Sequence, residues 1–177
     1  MSSFMSYFVE GLEVKDISRD FLRTILIYSD SFSLLYFRYK ENEPLKQSVK
    51  DVKKALAPFH INTRSVTEWP GTKLLGEQRH IYKLSTYKAC MDVLPVFDMV
   101  DTLWDWAYPD YPMDLACYKN GFAWFYSITH EHFAMLNLRR DRSYPLASDL
   151  ESLGVSLIPK GTKSEAEMYY DPKSIVK

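Results

Sequence analysis

Asn120-Gly121 separates two short runs rich in aromatic and aliphatic residues, 115–119 and 122–128. A two-residue hairpin loop of type I′ needs positive φ at both central positions, and Asn followed by Gly reaches that geometry with the least strain. The pair therefore predicts a β-hairpin, and a hairpin commits its sheet to antiparallel pairing. Residues 133–138 read as a third strand beside it.

Elsewhere the hydrophobic period alternates between helix and strand without a regular βαβ repeat. Ile17, Phe21, Ile25 and Tyr28 recur at helical spacing and predict a helix over 16–29. Residues 31–39 read as a strand. Leu45, Val49, Val52 and Leu56 line one side of a second helix, ended by Pro58, with Lys46, Lys50, Lys53 and Lys54 on its solvated side. Residues 59–68 and 79–85 read as strands, and Trp69-Pro70-Gly71 between them as a turn. A long helix is expected over 86–106, kinked at Pro95, followed by a Pro-stiffened loop over 108–112. Ser148 and Glu151 form a capping-box pattern for a short helix that Gly154 closes, and 155–158 read as a last strand. The expected fold is α+β: an antiparallel or mixed sheet with helices packed on one face, in a single domain over 1–159. Residues 160–177 read as a tail, with Tyr169 and Tyr170 pinning part of it.

Composition narrows the function classes. The 22 basic and 23 acidic residues leave a formal net charge of −1, whereas a general nucleic-acid binder carries a basic excess. No apolar run approaches the ~20 residues that cross a bilayer, and residues 1–11 carry no secretory pattern. Two cysteines, Cys90 and Cys117, make no disulfide framework and suit a reducing cytoplasm. With 6 glycines and no dinucleotide, Walker or nucleophile-elbow pattern, no cofactor is expected.

Two groups of residues carry candidate chemistry. His130-Glu131-His132 would place two imidazoles on one face of a strand, available to a metal or to acid–base catalysis. Its other reading is a polar turn entering a strand, and with no third ligand at a metal-site spacing no metal is expected. The second group lies in 89–117, which holds six aspartates and no Lys or Arg. On the expected helix, Asp98, Asp101 and Asp105 share one face, opposite Phe97, Val100, Leu103 and Trp104. Such like charges repel by about a few tenths of a kcal/mol per pair. Trp106, Tyr108, Asp110 and Tyr111 follow at once. Acidic groups beside aromatics form a docking surface for a basic protein, in which charge steers and rings anchor. The alternative is a solvated acidic face over core aromatics.

Glu68-Trp69-Pro70-Gly71-Thr72-Lys73-Leu74, Met113-Asp114-Leu115, Asn120-Gly121, Ala123-Trp124 and His130-Glu131 together resemble an uncharacterised family of small bacterial proteins, found in bacilli and relatives, that carries the label stage III sporulation protein AH-like. The resemblance spans about residues 16–138 and departs at Met113, where the family has an acidic residue. It implies a soluble, single-domain bacterial protein and supplies no catalytic residue. The expectation is a non-enzymatic, cytoplasmic protein-binding domain, in its most concrete form an immunity- or antitoxin-like protein that occludes a basic toxin. The alternatives are a hydrolase using His130, Glu131 or His132, and a small-molecule-binding regulatory factor.

Overall fold

The computed structural model describes residues 3–168. In chain order the first half contains β1 (Ser3–Glu10), α1 (Lys15–Ile27), β2 (Ser31–Arg38), α2 (Gln47–Leu56), β3 (His60–Ser65), β4 (Glu68–Trp69), β5 (Thr72–Lys73) and β6 (Ile81–Lys88). The second half contains α3 (Leu94–Phe97), β7 (Met113–Lys119), β8 (Phe122–Ile128), β9 (Phe133–Arg139), α4 (Ala147–Glu151), β10 (Ser156–Ser164) and α5 (Glu165–Met168). Eight strands form one antiparallel sheet in the order β10-β1-β9-β8-β7-β2-β6-β3, and β4 and β5 form a separate small hairpin. This is the α+β class the sequence predicts.

The Asn120-Gly121 turn joins β7 to β8 with Lys119 opposite Phe122, and φ is +50° at Asn120 and +81° at Gly121. Asp30 fastens it from outside, its carboxylate accepting the Asn120 N–H at 2.7 Å.

Helices α1, α2 and α3 cover one face. Phe21, Leu22 and Ile25 of α1 and Val49, Val52 and Leu56 of α2 enter one cluster with Phe32, Leu34, Leu115 and Phe125 of the sheet. Each such side chain contributes about 1.5–3 kcal/mol of transfer free energy. β2 lies inside the sheet between β7 and β6 and is buried on both faces, which is why it reads as a continuous apolar run rather than an alternation. Leu35 points away from the helices and joins Leu84, Val66 and Trp69 under the β4–β5 hairpin. The hairpin tip can lie this close because residue 71 is glycine. Its φ is +87°, and a Cβ there would stand 2.7 Å from the Tyr126 ring.

Several expectations need correction. No long helix spans 86–106. Residues 86–88 complete β6, because β2 is long enough to pair as far as Lys88 and Tyr87 stacks on Phe32 at 5.3 Å. Pro95 starts the four-residue α3 instead of kinking a longer helix. A new one-turn 3-10 helix begins at Leu103, where Thr102 and Asp105 form a capping box. Asp98, Asp101 and Asp105 therefore share no helix face. The box expected at Ser148 and Glu151 is absent, since Ser148 lies inside α4 and Leu146 precedes it. The last strand does not stop at 158. β10 runs to Ser164 and pairs with β1 from Glu10 to Ser3, so residues 160–168 belong to the fold. As an edge strand half open to solvent, it has no need of the apolar pattern that would have announced it. Tyr169 and Tyr170 lie outside the described residues. β1, which no periodicity announces, inserts between β9 and β10.

Cys90 and Cys117 are unbridged, and burial pushes the Cys117 thiol up. Among the described residues no helix is long and apolar enough to cross a membrane.

Candidate functional site: an aromatic cleft

On the face opposite the helices, the ends of β2 and β6, the β4–β5 hairpin and the turn after β8 enclose a cleft of about 700 Å³. Five aromatic rings, from Phe37, Tyr39, Trp69, Tyr82 and Tyr108, line it. Phe37 sits among Tyr39 at 5.0 Å, Tyr82 at 5.2 Å and Tyr108 at 4.9 Å, with the Tyr39 and Tyr108 contacts edge-on. Trp69 stacks on Tyr82 at 5.4 Å and 28°. Offset and edge-to-face pairs of this kind hold each other's orientation as well as burying area. Tyr39 is nonetheless 52% exposed, and Leu75, just past the hairpin, is 86% exposed.

Tyr108 is held from the other side. Its hydroxyl donates to the Glu43 carboxylate, which also accepts the Tyr39 N–H at 2.6 Å. The Tyr108 bond holds the Glu43 carboxyl below its ordinary range, and the same bond pushes the Tyr108 phenol up to about 12. A residue of the loop is thereby tied to the segment after β2, which sets the width of the cleft.

The far end is built on Asp114. This residue is 1% exposed and has φ of +53°. One carboxylate oxygen accepts the Trp69 indole N–H at 2.9 Å, the other accepts the Thr129 N–H at 2.9 Å, and the Asp114 N–H donates back to the Thr129 hydroxyl at 3.1 Å. One buried side chain thus connects the hairpin, the start of β7 and the turn after β8. Burial raises the Asp114 pKa, opposed by the Thr129 and Trp69 hydrogen bonds and by His130.

His130 and Glu131 line this end of the cleft, exposed and 3.6 Å apart. They do not stand on a strand. Thr129–Glu131 is a 3-10 turn, and His132 follows in the left-handed region at φ +49°, stacked on Trp104 at 5.0 Å and 7°. The turn splits the two imidazoles, so the shared strand face expected of them does not exist. Among the described residues no group of three or more His, Cys, Asp or Glu side chains is placed to hold a metal ion.

The acidic segment is dispersed as well. Asp98 pairs with Arg23 at 2.9 Å, and Asp101 pairs with Lys15 at 2.6 Å. The Asp105 carboxylate accepts the Thr102 N–H at 2.7 Å. Asp110 pairs with Lys46 at 2.6 Å and gives its carbonyl to the Ser48 hydroxyl. Trp106 is 0% exposed, packed on Phe97 at 5.2 Å and Tyr111 at 5.5 Å, so it anchors the core and no partner. Of the residues expected to form a docking surface, only Tyr108 reaches the cleft. Phe37, Tyr39, Trp69 and Tyr82 were not anticipated there, because they come from separate elements and follow no motif. The available signal was Asp114, an isolated charge at the start of an apolar strand, which needs buried partners.

Protein-family models, curated proteins and solved structures were all compared with the chain, and none matches.

Proposed function

We propose that this chain is a non-catalytic binding domain whose ligand is another protein, held at the aromatic cleft. The observation that carries the reading is exposed apolar surface at a concave site: Tyr39 stands open to solvent in a cleft it lines with Phe37, Trp69, Tyr82 and Tyr108. Aromatic anchors at the centre of a concave patch are what protein contacts use. The most concrete form is a cytoplasmic, bacterial immunity- or antitoxin-like protein that occludes a basic toxin. A Lys or Arg of the toxin would lie against the faces of Tyr39 and Tyr82, with Glu131 at the rim. On this reading the contact lies at the cleft and not on Asp98 and Asp101, which pair with Arg23 and Lys15.

The test is capture of a partner from the source organism, followed by binding kinetics. Tyr39→Ala changes an exposed side chain of the cleft and is expected to speed dissociation at least tenfold. Asp98→Asn with Asp101→Asn is expected to bind as the wild type does. Retention of the partner by the cleft variant, or its loss from the aspartate variant, would reverse the assignment.

A second reading, a hydrolase, rests on one observation: His130 and Glu131 line the same cleft, whose volume suits a small substrate. A hydrolytic activity that His130→Gln abolishes while partner binding persists would favour it.

A further inference from the structure

On the helix side of β2, behind the cleft, three cations from three elements stand on one face, and Arg38 and Lys83 both act on the Lys53 ammonium. The Lys53 ammonium of α2 lies 4.6 Å over the Tyr36 ring. Lys83 of β6 is directly opposite Tyr36 in the sheet register, on the same face. Arg38, two residues further along β2, emerges on that face too. Lys50 precedes Lys53 by one turn and extends the basic side of the helix.

Glu43, the acid beside Arg38, accepts from the Tyr39 N–H and the Tyr108 hydroxyl and faces the Arg38 charge, but it does not act on Lys53. Arg38 donates to the Glu41 carbonyl at 2.7 Å, a neutral acceptor. Asp110 is engaged by Lys46, and Asp51 accepts from Gln47 at 2.8 Å. The Lys53 ammonium is disfavoured first by burial and then by Arg38 and Lys83, with no acid acting on it in compensation. In a chain of net charge −1, Lys53 is repelled by Arg38 and Lys83, and an anion between them offsets that repulsion. The Tyr36 hydroxyl is committed to the Tyr87 hydroxyl at 2.8 Å, which fixes the ring as a floor beneath Lys53.

We propose that the groove between α2 and the β2–β6 part of the sheet binds a phosphate group, with Lys53, Lys83 and Arg38 as its ligands. Guanidinium and ammonium groups arranged around one point suit a compact multivalent oxyanion better than a carboxylate, which has two acceptor oxygens on one edge. Lys53, Lys83 and Arg38 do not line the aromatic cleft, so this site is separate from it.

The experiment is a titration of the whole chain in chloride buffer at constant ionic strength. The probes are inorganic phosphate and, separately, adenosine monophosphate. Binding is read by calorimetry and by the change in melting temperature. Phosphate is expected to raise the melting temperature where the same ionic strength of chloride does not. Lys53→Met keeps the aliphatic stem over Tyr36 and removes the charge. It is expected to weaken phosphate binding at least tenfold, as is Lys83→Gln, a variant on a different element that guards against a folding defect in the first. Lys54→Gln makes the same charge change one residue away and is expected to bind as the wild type does. Tighter binding of the nucleotide than of inorganic phosphate would identify the site as one for a phosphate ester, and equal binding as one for the phosphate group itself. Equal stabilisation by phosphate and chloride, or unchanged phosphate affinity in both Lys53→Met and Lys83→Gln, would overturn the proposal.

Discussion

Replacing Trp69 by Phe removes one donor from the buried Asp114 carboxylate and leaves a ring against Tyr82. A hydrogen bond to a charged acceptor contributes about 1.5–3 kcal/mol, and the smaller ring adds roughly 1 kcal/mol of lost packing, well under the cost of full truncation. At neutral pH the expected loss is therefore about 2.5–4 kcal/mol, the sum of these two effects, or on the order of 5–16 °C in melting temperature for a chain of this size. The effect also carries a pH signature. Burial raises the Asp114 pKa in the folded chain, so the folded state holds its proton more tightly than the unfolded state does. The stability linked to this group is fully present below the unfolded value of about 3.9 and is lost as pH rises through the higher folded value. Trp69 opposes that loss by stabilising the ionised form. Without it the folded pKa climbs further and the penalty at neutral pH grows, while at pH 3.5 the protonated carboxyl has little need of the indole. Chemical denaturation followed by far-UV circular dichroism, at pH 3.5 and pH 7, should show Trp69→Phe costing about 1–2 kcal/mol more at the higher pH, the charge-assisted part of the bond. In an Asp114→Asn background the difference between the two pH values should vanish. An equal cost at both pH values in the otherwise wild-type chain would refute the reasoning, since the indole would then contribute packing alone.

The hairpin and the core offer simpler tests. Gly121→Val places a β-branched residue at φ +81° and should cost on the order of 1–3 kcal/mol, as strained backbone positions do, read as a lower urea midpoint. Trp106→Ala should cost about 3–5 kcal/mol, the range for a buried large aromatic. Asp98→Asn with Asp101→Asn, which removes only solvent-exposed pairs, should scarcely move the midpoint. Equal effects from those last two changes would contradict the burial described for Trp106.

What the sequence made legible was local. Asn120-Gly121 announces its turn because the φ requirement falls on the two residues themselves, and α1 and α2 are visible because each buries one stripe. The stretch 86–106 misleads because the same spacings are compatible with one helix or with a chain of single turns. Val93, Leu94, Val96, Phe97, Leu103 and Trp106 are all buried, yet they reach the core from three short helical turns, 91–93, 94–97 and 103–105, and from the residue after the last. Periodicity counts residues and does not register that the helical hydrogen bonding stops after Phe97 and restarts at Leu103. β1 and the second half of β10 were invisible for the opposite reason: their pairing is set by each other and by β9, far away in the chain.

The aspartates show why charge along a sequence is a weak guide to a surface. Asp98 and Asp101 form a repelling row only if they share one helix. In the fold they face Arg23 and Lys15, which lie two turns apart on α1, so the row completes an ion-paired contact between two parts of the same chain. Asp110 does the same with Lys46. Lys53, Lys83 and Arg38 present the reverse case. They lie between residues 38 and 83, nothing in their spacing groups them, and the pairing of β2 with β6 beneath α2 brings Arg38 and Lys83 near Lys53. A charged group is informative about a ligand only after its partners within the chain have been identified. By that criterion the acidic segment drops out, the basic groove comes forward, and Asp114, satisfied by Trp69 and Thr129, is the brace that holds the aromatic cleft open.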